Sequence, residues 1–337
     1  VITMRANNVL GIIYSNAYDS VLSELTNART MGSVPFGGRY RLIDFALSNL
    51  VNCGINKVGI ITKSNYQSLM DHIGTGKPWD LSRKRGGMFL LPPFNNSHTG
   101  MYRDRIQALR GIMRFLEQSK EEYIVLMDTN VVCNFDLNDM CRAHTESGAD
   151  ITIAYHHGRA PRLDDLMTFT FEENQKVAKI ALDPKTSNPV DYAMNIILIS
   201  KALLTRLINN AVSLNQDSFV RDVIQHNLKR LNIYGYEVSG FTSVFDSLQS
   251  YYDISMSLLD PANCQELFTR ERPVYTKVRD DMPAIYGLGS TVKNSLVADG
   301  CSIDGEVENC ILFRGVQIGK GAVVRNSIIM QGTYISE

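Results

Sequence analysis

The last fifty or so residues constrain this chain most. Asn294-Ser-Leu-Val297, Asn309-Cys-Ile-Leu312 and Asn326-Ser-Ile-Ile329 recur at intervals of 15 and 17 residues. Between them run GCSIDGEV and GVQIGKGAVV, with an aliphatic and a small residue every five or six positions. That is the hexapeptide pattern of a left-handed parallel β-helix, in which each coil needs about three such units. A coil buries its aliphatic row only by stacking on the next. The pattern is still running at Glu337. Continuation of the repeat, or packing of the last coil on a partner, is therefore expected.

The preceding residues read differently. Val9–Tyr14, Lys57–Thr62 and Tyr123–Met127 are short apolar runs that read as buried strands. Ile151–Tyr155, Thr168–Phe171 and Asn195–Ile199 are further strand candidates. Leu42–Val51 has helical spacing and stops at Cys53-Gly54. Arg105–Gln118 reads as one amphipathic helix, and Asp246–Leu259 as another, stopped by Asp260-Pro261. This alternation predicts an α/β domain over 1–260, an irregular connection over 261–283 and the β-helix over 284–337. Such a sheet binds ligands beyond the carboxyl ends of its strands, so the turns after Tyr14 and Met127 are the first places for chemistry.

Composition removes several functions. The chain carries 34 Lys+Arg against 35 Asp+Glu, and a nucleic-acid binder normally has a basic excess. Lys77–Arg85 is locally basic around Trp79, but one such stretch in a neutral chain does not make an RNA platform. No run of about 18 apolar residues exists, and no charged-then-apolar leader opens the chain, so neither a membrane nor secretion is expected. Cys53, Cys133, Cys141, Cys264, Cys301 and Cys310 form no CxxC pair and read as free thiols in a reducing cytoplasm. His72, His98, His144, His156, His157 and His226 show no metal spacing. His156 and His157, adjacent on a strand, point to opposite faces.

Val34–Gly54, VPFGGRYRLIDFALSNLVNCG, closely resembles the PFGGxxRxIDFxLSNxxNSG signature of ADP-glucose pyrophosphorylases. His72-Ile73 with Pro78-Trp79-Asp80, and Tyr102-Arg103, support the match, as does the terminal β-helix. The resemblance implies a Rossmann-like, GT-A-like nucleotidyltransferase mixed sheet. It also implies a reaction joining glucose 1-phosphate and ATP into ADP-glucose and pyrophosphate. That chemistry needs a phosphate cradle, carboxylates for Mg²⁺ and cations for the sugar phosphate.

Each of those parts departs from the family pattern. The glycine-rich GGxGTRL becomes Asn16-Ala-Tyr-Asp-Ser-Val-Leu22. Its glycines are gone, the Arg position is Val21, and Asp19 brings negative charge. The family's Lys in RAKPAV is Met31. The first metal Asp aligns with Asn130, a neutral and weaker ligand. The glucose-contacting Glu is Leu182, and the phosphate-binding Lys is Asp183, a charge reversal. The second metal Asp is Val244. No catalytic residue and no Mg²⁺ site is expected here, the metal belonging to a catalytic partner.

A scaffold signature kept while the chemistry is dropped resembles the regulatory, non-catalytic D-type glycogen-biosynthesis subunit. By that resemblance the chain pairs with a catalytic subunit in a heterotetramer, raises its activity, and also self-associates. Arg29, Arg39 and Arg41 survive around Gly37-Gly38. The positions matching Arg29 and Arg41 belong, in catalytic relatives, to the region that receives an anionic activator. The three form an anion site, or else bridge to carboxylates such as Asp44 or to a partner. The family also implies that the Lys77–Arg85 segment is a mobile reporter loop. Two other functions compete: an active enzyme using Asp128 and Asp246 as substitute metal ligands, and a hexapeptide acyltransferase. The latter lacks a catalytic His, since none lies beyond His226.

Overall fold

The computed structural model describes residues 5–93, 104–184 and 186–337. His98 and the Tyr102-Arg103 match lie outside them. The nine-stranded sheet comprises β1 (Val9–Tyr14), β2 (Lys57–Ile61), β3 (Gly87–Leu91), β4 (Tyr123–Asp128), β5 (Ile151–Gly158), β6 (Met167–Phe171), β7 (Val177–Leu182), β8 (Val190–Ser200) and β9 (Ile233–Glu237). Its order is β7-β6-β8-β4-β1-β2-β3, with β5 on β8 and β9 beyond it. The β4-β1-β2-β3 half is parallel, and β8 runs antiparallel to β4, so the sheet is mixed. The central parallel strands are mostly apolar because both faces are covered, by two separate hydrophobic clusters. In β5, His156 and His157 do diverge: His156 reaches the Val238 carbonyl and His157 pairs with Asp191.

The signature helix Leu42–Asn52 buries its first nine residues and ends on Cys53 and Gly54, where Gly54 takes φ +86°. Arg105–Gln118 is two helices, Arg105–Gly111 and Met113–Gln118, broken at Ile112 (φ −102°, ψ 9°). Gly111 is the weak point, disfavouring a helix by about 1 kcal/mol relative to Ala. The connection after residue 260 is also more ordered than its sequence implied. Asp260 caps, and Pro261 opens, the helix Pro261–Leu267. The strap that follows is sutured to the signature helix, by Asn52 Nδ2 to the Pro273 carbonyl and by Tyr275 N to Ser48 Oγ.

The repeat segment forms a left-handed parallel β-helix. Its three faces stack Ile285–Tyr286, Ser302–Ile303, Gln317–Ile318 and Tyr334–Ile335; Thr291–Lys293, Glu306–Glu308 and Val323–Arg325; and Leu296–Val297, Ile311–Leu312 and Ile328–Ile329. The recurring Asn294, Asn309 and Asn326 occupy one corner at φ 41°, 52° and 49°, where Asn is tolerated. They form an amide ladder, with Nδ2 to Oδ1 distances of 2.7 and 3.2 Å. Leu296, Ile328 and Met330 pack onto the α/β core beside Phe36, Phe45 and Phe245, docking the β-helix against the signature segment.

Trp79 is buried, edge-on to His72 at 6.0 Å, within the core beneath the signature helix. Its ring is unavailable for base stacking, and this part of the Lys77–Arg85 segment is packed structure. Among the described residues, no helix is long and apolar enough to cross a membrane.

Candidate functional site

Beyond the carboxyl ends of β1, β2 and β4 lies a cavity of about 310 Å³. Tyr14, Ala17, Tyr18, Ile61 and Phe219 supply its apolar wall. Among the described residues, Asp104, Asp164, Asp165 and Asp217 stand around it, against Lys63 and Arg105. Burial pushes the Asp104 and Asp165 carboxyls upward, and neighbouring carboxylates (Asp217 for the first, Asp183 for the second) add to the rise. Arg105 does not face the cavity as a free cation. Its guanidinium pairs with buried Asp128 and lies over the Tyr14 ring (4.9 Å) and the Tyr18 ring (6.0 Å). A triphosphate entering here meets net negative charge.

The cradle loop is bonded to itself. Asn16 Nδ2 donates to Asp19 Oδ2 (2.7 Å), and its Oδ1 accepts the Lys63 amide (2.6 Å). Asp19 Oδ1 accepts the Met31 amide.

The other departing positions have become packing residues. Met31 is fully buried with Phe36, Phe45 and Phe245, and Val21 packs on the same cluster. Asn130 is fully buried, its Nδ2 directed at the Phe245 carbonyl (3.4 Å). Val244 pairs in register with Val131. Leu182 packs on the core, and Asp183 holds the Leu166 turn through Oδ1 to Leu166 N (3.1 Å). None of the six lines the cavity.

The substitute ligands are partly engaged. Asp128 pairs with Arg105 through Oδ2, while its Oδ1, like Asn130 Oδ1, is buried without a hydrogen-bond partner among the described residues; Asp246 accepts the Arg162 amide (2.8 Å) and the Ser247 hydroxyl (2.9 Å). Ser247, not Asp246, caps the helix Leu248–Ser257. Among the described residues, no group of three His, Cys, Asp or Glu could hold a metal.

Positive charge collects elsewhere, where the signature segment, the strap and the β-helix meet. Two adjoining pockets, the larger about 340 Å³, share Arg41, His72 and Arg279. Arg39, Lys277 and Arg314 join them, and Asp71 is the only carboxylate in the lining. Arg41 donates to the Ser33 carbonyl (2.5 Å) and Ser68 Oγ (2.9 Å). Asp44 instead takes the Arg41 backbone amide (2.9 Å) and His72 Nε2 (2.6 Å). Burial, and then nearby Arg29, push Arg41 down to about 10. Arg314 is nine-tenths buried with its Nε unbonded, and is pushed down by burial and by Arg39 and Arg279. Arg29 itself lines neither pocket. Lys277, Arg279 and Arg314 were missed in the sequence. The one available signal was Arg314, a charge interrupting an inward-facing apolar run.

Residues 11–245 match the nucleotidyl transferase family, and residues 285–337 match the GlmU-like C-terminal hexapeptide family. The Glycogen biosynthesis protein GlgD of Bacillus subtilis is 38% identical over 96% of this chain and 84% of that protein. The chain belongs to the glucose-1-phosphate adenylyltransferase family. Another family member, GlgD of Geobacillus stearothermophilus, is 39% identical over 94% of this chain and 83% of its own. The Glucose-1-phosphate adenylyltransferase of Clostridium acetobutylicum is 31% identical over 95% and 86%. This chain has the fold of the family, and four aspartates and the Arg105–Asp128 pair stand at its cleft.

Proposed function

We propose that this chain is a regulatory, non-catalytic subunit acting in glycogen biosynthesis. It binds a catalytic glucose-1-phosphate adenylyltransferase subunit in the cytoplasm, in a heterotetramer, and holds that partner in its faster conformation. The observation that carries this reading is the cleft: four aspartates at its walls, and an arginine already neutralised by Asp128. No polyanionic substrate is bound there, and Mg²⁺ acts only in the partner.

The cationic junction formed by Arg39, Arg41, Arg279 and Arg314 supports a regulatory rather than an idle role. Its cations outnumber the nearby carboxylates Asp71 and Asp281, so a phosphorylated effector would relieve the excess and clamp the strap and the β-helix against the signature segment. Arg29 contributes field rather than contact.

The test is a turnover assay with ATP, Mg²⁺ and glucose 1-phosphate. The chain alone should form no ADP-glucose. Mixed with the catalytic subunit, it should raise the rate about 5–150-fold, the range of a 1–3 kcal/mol coupling. Turnover by the chain alone, or an unchanged partner rate once size-exclusion chromatography shows the complex, would overturn the proposal.

A further inference from the structure

The acidic cavity beyond β1, β2 and β4 contains two side chains that the fold leaves unsatisfied. Tyr14 and Thr62 both line it, and both are buried, Tyr14 at 5% and Thr62 at 0% exposure. Neither hydroxyl has a hydrogen-bond partner among the described residues. Other hydroxyls of the lining are paired: Tyr18 Oη accepts the Asn195 side-chain amide (3.1 Å), and Ser218 Oγ accepts the Arg221 backbone amide (3.1 Å). A buried hydroxyl left unpaired is costly, so two of them in one lining mark a place where a polar partner is missing.

The charge around the cavity selects that partner. Asp104 caps the helix Arg105–Gly111, Asp164 and Asp165 lie just before β6, and Asp217 lies two residues before Phe219. Asp217 pairs with Arg221 (2.8 Å) and Arg105 with Asp128. Among the described lining residues, this leaves Asp104, Asp164 and Asp165 against Lys63. The excess is negative, but it is not focused on a point: among the described residues, no three carboxylates converge closely enough to hold a metal ion. Positive charge spread along a chain matches this arrangement better than a compact divalent cation. The apolar wall of Ala17, Ile61, Ala108, Phe219 and Val220 would cover a methylene stem, as apolar surface covers the stem of a lysine.

We propose that this cavity binds an aliphatic polyamine, a molecule of two or three ammonium groups joined by methylene chains. The ammonium groups donate to the Asp104, Asp164 and Asp165 carboxylates and to the Tyr14 and Thr62 hydroxyl oxygens, while the methylenes lie on the apolar wall. The volume of about 310 Å³ admits such a chain. Binding needs no catalytic partner, so it stands or falls independently of the regulatory role.

Spermidine and 1,4-diaminobutane are titrated into the full chain by isothermal calorimetry at low ionic strength, with n-butylamine and MgCl₂ as comparison ligands. The expected result is saturable binding of both polyamines and weaker binding of the monoamine and of Mg²⁺. Asp164 and Asp165 are exposed, and Asp165 sits at φ +60°, which Asn tolerates. The variant carrying both Asp164→Asn and Asp165→Asn should therefore fold as wild type does and bind spermidine about tenfold more weakly. Tyr14→Phe keeps the ring under Arg105, loses only the hydroxyl, and should also weaken spermidine about tenfold. No saturable heat with either polyamine, an affinity unchanged in either variant, or Mg²⁺ binding as tightly as spermidine would overturn the proposal.

Discussion

The Asp19 carboxylate accepts the backbone amide of Met31 at 2.8 Å. Two of the positions that depart from the catalytic pattern thus hold each other, and the bond closes the loop that a phosphate would have to open. Burial pushes Asp19 up to about 6, against hydrogen bonds from Asn16 and Met31. The folded state therefore binds its proton more tightly than the unfolded chain does. The contribution is full below about pH 4 and is lost as pH rises through 6. Partial exposure limits it to about 1–2 kcal/mol. Asp19→Asn keeps an acceptor and loses the titration. Its melting temperature, measured against wild type, should rise between pH 4 and pH 7.5. An unchanged difference would refute the assignment.

His144 shows the opposite sign. It is buried, 2.7 Å from Thr152 Oγ1, and burial pushes it down to about 4. Above pH 6.5 it is neutral in both states. As pH falls from 6.5 towards 4 the unfolded chain takes up the proton first, and stability drops by at most about 3 kcal/mol. Urea midpoints of His144→Gln should depend less on pH across this window than those of wild type.

In the Arg105–Asp128 pair Asp128 is fully buried and Arg105 mostly so, and removing one member leaves its partner's charge poorly compensated. Arg105→Leu and Asp128→Leu should each lower unfolding free energy by about 3–5 kcal/mol, and the double variant should recover most of the loss. Additive losses in a double-mutant cycle would show that the two side chains do not act together.

Trp79 is the only tryptophan, and its neighbour His72 lines the cationic pockets. Titration with a sugar bisphosphate should therefore change the intrinsic tryptophan emission. Arg314→Gln removes one charge-assisted contact, worth about 1.5–3 kcal/mol, and should raise the apparent dissociation constant about 10–100-fold. Equal titration curves for variant and wild type would remove Arg314 from the site.

The sequence made some of this legible and concealed the rest for physical reasons. Val9–Tyr14 and Tyr123–Met127 announce themselves because a strand covered on both faces is a continuous apolar run. The hexapeptide rows do so because every coil repeats one burial problem. Asp260-Pro261 was a cap and a first-turn proline, but it was read only as a stop, and the helix it begins went unseen. The acidic cleft was illegible: Asp104, Asp164, Asp165 and Asp217 come from three separate segments, and only the fold gathers them. Lys277 and Arg279 were hidden for the same reason, since a strap shows no periodicity.

One consequence follows from the guanidinium that neutralises Asp128 while covering Tyr14 and Tyr18. Either single replacement strands its neighbour, so the floor of this cleft tolerates change only when both residues are exchanged together.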